Sequence, residues 1–568
     1  MGGRKMKVVI VGGVAGGASA AARIRRLDEK AEIVVFERTN YVSYANCGLP
    51  YYIGEVITDK EELTLQTPES FWMRFRIHIK VRHEVEKINV EKKTVTVKNL
   101  ETGEQFEESY DKLILSPGAK AVMPKGAEGK ERVFQLRTVE DTYRIYDFVK
   151  EKQPKNVVIV GGGFVGIELA ENLHELGIQV TIAQRPDHLL SPIDYDMASF
   201  VHAKMRKKGI PVLLKKSVEE VRQSEDKVQI QFQDGVLETD MAIMAIGVTP
   251  DSTLAKEAGL ALGQKGSILV NDRMETSEKD IYAVGDAIEV THYITGKKAV
   301  ISLAGPANKQ GRIVADNVCG GDSRFKGSQG SFVIKIFDLT VAATGINETM
   351  AKQAEIDYDK VYLSPMSHAG YYPGGTVMTL KVLFEKNTYK LLGAQIVGNE
   401  GVDKRIDVLA TAMHAGLTGL QLKDLDLAYA PPYSSAKDPV NMAGFMIENI
   451  ATGKVKQYFW DDRKELEEKE NAIFLDTRTY GEVKRGMAEG YRHIPVDELR
   501  DRIEELEKGK PVYVMCQSGL RSYIACRILE QYGYECYNFA GGYRLYSSVT
   551  AEKEAAVKAM PCGLEIEV

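Results

Sequence analysis

Lys7-Val8-Val9-Ile10-Val11-Gly12-Gly13-Val14-Ala15-Gly16-Gly17 is the stretch on which the fold turns. Four apolar residues without alternation, Val8 to Val11, read with Lys7 as a buried parallel strand. The glycines behind them permit a tight turn, and a helix is predicted from about Ala18 to Leu27. A second strand, Ile33 to Phe36, ends on Glu37, with Arg38 beside it. Strand, glycine turn, helix and terminal acid make a dinucleotide-binding unit. The helix start faces a pyrophosphate and the acid accepts from a ribose hydroxyl. Val14 stands where the usual middle glycine would be.

The pattern recurs. Val157 to Val160 is a predicted strand, Gly161-Gly162-Gly163-Phe164-Val165-Gly166 the turn, Ile167 to Leu176 the helix, and Val180 to Ala183 the next strand. Here the full spacing Gly161-x-Gly163-x-x-Gly166 is present. Gln184 and Arg185 follow in place of an acid. A missing carboxylate removes repulsion against a 2′-phosphate, and Arg185 can pair with one. The reading leans to NADPH and leaves NADH open.

Outward from these units, 568 residues exceed one core and imply several domains. A formal charge of -6 argues against nucleic acid as a bulk partner. No apolar run reaches membrane-spanning length. Met1 to Met6 runs straight into a strand, so no signal peptide is expected. Six dispersed cysteines, Cys47, Cys319, Cys516, Cys526, Cys536 and Cys562, make neither a disulfide framework nor a zinc-ligand spacing. A cytoplasmic protein with individually reactive thiols and no metal is expected.

Lys112 to Ala119, with Ser116-Pro117-Gly118, and Met244 to Pro250, with Gly247, look like strands that return the chain between domains. Thr276 to Asp286 looks like a second flavin motif, Gly285 and Asp286 facing the ribityl chain. Together these segments resemble the flavoprotein pyridine-nucleotide disulfide oxidoreductase superfamily over about residues 6–450. The resemblance implies FAD on Gly12, Gly13, Val14, Ala15, Gly16 and Gly17, and NAD(P)H on the second turn. It also implies a homodimer through residues 330–450.

Ser43-Tyr44-Ala45-Asn46-Cys47-Gly48-Leu49-Pro50 places one cysteine shortly after the first unit. A thiolate is the attacking form, and helix dipoles, cations or a flavin face can lower a thiol's pKa. In the superfamily the redox sulfur follows the first unit. Glutathione-reductase-like members carry two cysteines there. Cys47 is alone, so its oxidised state must be a mixed disulfide, persulfide or sulfenic acid. Asn46 to Pro50 resembles the coenzyme A-disulfide reductases. The alternative is the NADH oxidases and peroxidases, which cycle through a sulfenic acid. Peroxidases carry a histidine where Ala15 stands, which weighs against peroxide chemistry.

The resemblance further implies that Tyr371 and Tyr429 donate protons to a leaving thiolate. It points to Ser19, Arg23, Arg26, Ser43 and Asn46 as contacts to anionic coenzyme A. Arg74 or Arg76 replaces a family lysine near Phe75, and Lys437 is a further candidate.

Cys516-Gln517-Ser518-Gly519-Leu520-Arg521-Ser522 follows a predicted strand, Pro511 to Met515, and precedes a helix. Consecutive N–H groups there make an anion nest. Four residues between Cys516 and Arg521, one fewer than in cysteine phosphatases, leave a smaller cradle that suits a persulfide sulfur. With Asp476-x-Arg478, Ile494-Pro495 and Gly541-Gly542, this resembles a rhodanese active loop over about residues 465–550. Gly486-Met487 departs from the family's Gly-His. Arg521 is the candidate sulfur-loop cation. Cys526 and Cys536 read as packing thiols, and Cys319 and Cys562 have no motif. A helix is predicted over Arg500 to Lys508.

The expected architecture is α/β: two Rossmann-like dinucleotide-binding domains, an α+β dimerisation domain and a C-terminal rhodanese-like α/β domain. The boundaries read as 1–150 and 271–329 for FAD, 151–270 for NAD(P)H, 330–450 for dimerisation, 451–465 for a linker and 466–568 for rhodanese. The resemblance implies an NAD(P)H-dependent reductase of coenzyme A disulfide, coenzyme A persulfide and polysulfide that releases sulfide.

Overall fold

A computed structural model describes residues 5–263, 265–467 and 471–558. Met1 to Arg4 and Cys562 lie outside the described residues. The chain divides into two compact units, residues 5–186 with 213–330, and residues 187–212 with 331–558.

In the first unit a parallel sheet runs Ile281–Ala283, Lys112–Leu115, Lys7–Val11, Glu32–Glu37, His78–Val81. A second parallel sheet centres on Gln179–Gln184, Asn156–Val160, Met241–Met244 and Val133–Phe134. Val8, Val9 and Ile10 are fully buried, as helix-covered parallel strands must be. Antiparallel Ala119–Ala121 and Val248–Pro250 form the return ribbon.

The two glycine turns are physical copies. Gly12 N–H donates to Phe36 O at 2.8 Å, and Gly161 N–H to Ala183 O at 2.8 Å. Both have positive φ, +92° and +114°. A Cβ on Gly17 would stand 1.9 Å from Gly12 O, and one on Gly166 2.0 Å from Gly161 O. The helix can therefore pack against its own strand only where the side chain is absent.

The first helix is Ala15–Leu27, three residues longer at its start than expected. Gly16 and Gly17 are poor helix formers, but their close contacts hold them in its first turn, so packing overrides propensity.

In the second unit an antiparallel sheet runs Phe332–Ile336, Leu339–Gly345, Leu391–Gly398, Thr379–Glu385, Tyr358–Leu363, flanked by helix Val402–His414. A separate parallel sheet runs Gln457–Tyr458, Cys536–Phe539, Val512–Met515, Ile473–Asp476, Arg492–His493.

Two expectations are corrected here. The segment 451–465 is not a plain linker. Gln457–Tyr458 is an edge strand on Cys536–Phe539, and Tyr458 is buried against Tyr513 and Phe539. Aromatic burial, invisible in a polar stretch, supplies the reason. Arg500 to Lys508 is not a helix but a single 3₁₀ turn, Ile503–Glu505. Buried Ile503 and Leu506 stand three apart, a spacing that one such turn satisfies.

Helix Tyr195–Lys207 belongs to the second unit, where it packs on Gly542–Lys558. Glu552 accepts from Arg206 and pairs with His202 at 3.2 Å. Beside this contact, Lys381 is wholly buried among Asp194 at 2.8 Å, Asp196 at 3.0 Å and Glu348 at 2.5 Å. Trp460 Nε1 donates to the same Asp196 at 3.4 Å. Among the described residues no helix is long and apolar enough to cross a membrane.

Candidate active site

Glu37 ends its strand buried. Its Oε2 accepts from Gly13 N–H at 2.9 Å, and its Oε1 from Thr39 N–H at 2.9 Å. Arg38 is exposed and pairs with Asp251 at 3.0 Å. In the second unit of the pattern Gln184 Oε1 accepts from Gly162 N–H at 2.9 Å, so a neutral amide fills the acid's structural role. Arg185 beside it is exposed.

Both turns fit a dinucleotide. Nothing lies within 4 Å of a Cβ built on Gly163, Gly118 or Gly247, so backbone is open to a close-approaching ligand there. Ser116 N–H is held by Val11 O at 2.8 Å, and Pro117 follows it. Gly285 N–H is fixed by Gln310 Oε1 at 2.8 Å, and Asp286 accepts from Arg137 at 3.2 Å. Sequence reading missed Arg137 and Gln310; they carry no motif and meet the site only through folding. FAD and NAD(P)H therefore have a chemically suitable cradle each, with Asp286 free at one oxygen for a ribityl hydroxyl.

Cys47 lies in a 3₁₀ turn, Asn46–Gly48, continued by helix Leu49–Ile53. The residue is exposed. Its thiol pKa is nonetheless raised, first by burial of the sulfur among protein atoms and then by the carboxylates of Glu168 and Asp286. No cation is among the groups that shift it, and a three-residue turn has too little dipole to oppose them.

A recess of about 380 Å³ opens in the first unit, lined by Ser19, Arg23, Arg26, Ser43, Arg74 and, unforeseen, Gln66, Phe71, Asn308 and Arg312. Ser19 Oγ donates to Asn308 at 2.6 Å, and Arg23 pairs with Asp316 at 2.9 Å. Asn308 and Arg312 come from helix Ala304–Val318, packed on Ala15–Leu27. A spacing of four on one helix was their only sequence signal. Of the expected contacts, Asn46, Arg76 and Lys437 do not line the recess. Asn46 opens the Cys47 turn, Arg76 stacks its guanidinium over Trp72, and Lys437 is exposed in the second unit.

Tyr371 and Tyr429, also in the second unit, are exposed and joined hydroxyl to hydroxyl at 2.7 Å. The shared hydrogen bond raises the pKa of Tyr429.

Cys516 ends strand Val512–Met515, wholly buried. Its sulfur accepts from Gly519 N–H at 3.1 Å and from Ser522 Oγ at 3.2 Å. Tyr543 N–H donates to Cys516 O at 2.7 Å, and Gly542 packs on Ser518 N and Cys516 O with no room for a Cβ. Arg521 makes a two-pronged pair with Glu482, 2.7 Å at each oxygen, which holds that carboxyl down to about 2. Buried Asp476 and Arg478 pair at 2.7 Å, and Arg478 lies 3.6 Å over the Tyr543 ring. The Asp-x-Arg motif thus braces the wall of the loop. Cys536 Sγ reaches Cys526 O at 3.2 Å in the domain core. Cys319 is raised to about 11, first by burial and then by Asp28 and Asp316.

Residues 6–311 match the model of pyridine nucleotide-disulphide oxidoreductase, and residues 332–439 match its dimerisation domain. The chain belongs to the pyridine nucleotide-disulphide oxidoreductase family. Residues 460–548 match the rhodanese-like domain. The coenzyme A disulfide reductase of Staphylococcus aureus strain JH9 is 43% identical over 77% of this chain and 99% of its own length. The reduced Bacillus anthracis CoADR-RHD superposes with a TM-score of 0.94 at 48% identity, covering 97% of this chain and 99% of that one. An NAD-dependent persulfide reductase from A. fulgidus gives 0.90 at 36% identity, covering 95% and 100%. The chain is thus an oxidoreductase of this family joined to a rhodanese-like domain.

Proposed function

We propose that the protein is a homodimeric reductase of coenzyme A disulfide and coenzyme A persulfide or polysulfide, driven by NAD(P)H. The observation that carries this reading is Cys47, the single exposed cysteine among the described residues, four residues after Ser43, which lines the arginine-rich recess. Arg23, Arg26, Arg74 and Arg312 suit the phosphates of coenzyme A. The first turn with Glu37 and Asp286 would hold FAD, which would supply two-electron chemistry between nicotinamide and sulfur. Arg185, exposed beside Gln184, would pair with a 2′-phosphate.

The Cys47 thiolate attacks a coenzyme A-bound sulfur. A Cys47 mixed disulfide forms and thiolate, or hydrosulfide from a persulfide, departs. The Tyr371–Tyr429 pair donates the proton that the leaving group needs. Cys516 takes sulfane sulfur from a donor as its own persulfide, stabilised by the Gly519 N–H and the Ser522 hydroxyl. It then passes that sulfur to a coenzyme A thiolate, which returns to Cys47. Reduced thiol and hydrosulfide products suit a reducing compartment such as the cytoplasm.

Mass spectrometry of the purified oxidised protein tests the reading: a coenzyme A-sized adduct on Cys47 is expected. Cys47→Ser should abolish reduction of both substrate classes, and retained turnover would overturn the mechanism. Cys516→Ala should spare coenzyme A disulfide and impair polysulfide.

A further inference from the structure

Glu168 is a carboxylate that no step above uses. It lies half-buried in the first turns of helix Phe164–Glu175 and accepts from the Tyr51 hydroxyl at 3.4 Å. Tyr51 stands four residues after Cys47, and the backbone is helical from Asn46 to Ile53, so the two share one face. Helix Leu49–Ile53 packs directly on Phe164–Glu175. Asn172 braces that contact, donating to Glu168 O at 2.8 Å and leaving no room for a Cβ on Gly54.

We propose that Glu168, hydrogen-bonded to Tyr51 one turn after Cys47, is a positioning residue that takes up the proton accompanying thiolate formation at Cys47. The proposal rests on Cys47 being the redox cysteine. Two electrons break the sulfur–sulfur bond of the Cys47 mixed disulfide and leave two thiolates. One proton converts the Glu168 carboxylate to the acid, so the pocket gains one negative charge fewer. The nicotinamide that supplies the electron pair also releases one proton, so the step balances.

The surrounding charges agree. Burial first, and then the neighbouring Glu171, push the Glu168 carboxyl up to about 7; the Tyr51 hydrogen bond opposes them. Burial first, and then Glu168 and Asp286, raise the Cys47 thiol. Asp286 is compensated by Arg137, and no cation is among the groups that shift Glu168. On the other side of Leu49–Ile53, Lys150 is engaged with Glu55 and Lys60 lies over Tyr143. Glu168 therefore gives up its proton near neutrality, and a Cys47 thiolate favours its retention.

The test is the rate of Cys47 alkylation by iodoacetamide in the FAD-loaded enzyme between pH 5 and 10, read by mass spectrometry. The wild type should show an inflection near the Glu168 ionisation in addition to that of the thiol. Glu168→Gln should lose it and alkylate about threefold or more faster at pH 8, because a nearby negative charge is gone. Tyr51→Phe should displace the inflection. A Glu168→Gln profile superimposable on wild type would overturn the proposal. If that variant loses flavin, Glu168→Asp decides: a displaced inflection supports the proposal and an unmoved one overturns it. Turnover of coenzyme A disulfide is measured in parallel. Its absence in the wild type would sink the substrate reading and leave the alkylation result to judge Glu168.

Discussion

Replacing Glu348 by glutamine probes the buried charge cluster that ties helix Tyr195–Lys207 to the antiparallel sheet of the second unit. Glu348 accepts from Lys381 at 2.5 Å, from Lys360 at 2.8 Å and from Tyr358 at 2.7 Å. Burial alone would raise its carboxyl, but Lys381 and Lys360 together hold it down to about 2 against an ordinary 4.5. That difference corresponds to about 3 kcal/mol of folding stability at pH 7. A depressed carboxyl contributes fully above its unfolded value and loses the contribution as pH falls towards its folded one. The gap between wild type and Glu348→Gln should thus be about 3 kcal/mol at pH 7 and shrink to roughly 2 kcal/mol at pH 3.5. Glu552 is also held near 2 and titrates in the same window, so the informative quantity is the difference between the two proteins. Trp460 bonds to Asp196 in this cluster, and Trp72 is the chain's other tryptophan. Urea unfolding followed by fluorescence in a Trp72→Phe background therefore reads the second unit. A gap below about 1 kcal/mol at pH 7, or one that does not narrow at pH 3.5, would refute the reasoning.

Arg312→Ala should raise the KM for coenzyme A disulfide about tenfold and leave a phosphate-free pantetheine disulfide unaffected, because only the anion loses its partner; steady-state kinetics with both substrates checks it. Arg185→Ala should raise the KM for NADPH about tenfold and spare NADH; equal effects on both would remove Arg185 from the 2′-phosphate. Glu482→Gln releases Arg521 from its two-pronged pair and should slow sulfur transfer to Cys516 about tenfold, with coenzyme A disulfide reduction unchanged. Gly12→Ala places a Cβ 2.1 Å from Ser116 O at a φ of +92°, and should yield protein that is poorly folded or flavin-free by absorbance.

Much of the site was legible because it is written in short-range code. The two glycine turns, Glu37, Gln184 and the Cys516 loop are each specified by residues a few positions apart, where local backbone geometry dictates residue type. Ser19, Arg23, Arg26, Ser43 and Arg74 were foreseen and line one recess. Asn308, Arg312, Arg137 and Gln310 were not, because each meets its site through folding: Asn308 bonds Ser19 from 289 residues away, Arg137 bonds Asp286 from 149, and Gln310 bonds Gly285 from 25. The edge strand Gln457–Tyr458 escaped notice for a similar reason: two residues cannot show a period, and only pairing with Cys536–Phe539 makes them a strand.

By itself, the sequence determined the family architecture, the duplicated dinucleotide pattern and the solitary state of Cys47. These depend on covalent order, glycine stereochemistry and the count of nearby thiols. Tertiary structure decided the charge environment. It showed that the Cys47 thiol is raised, first by burial and then by Glu168 and Asp286, that Arg521 is held by Glu482, and that Lys381 is buried among three carboxylates. Electrostatic energies depend on distance and burial, and neither is a property of position along the chain.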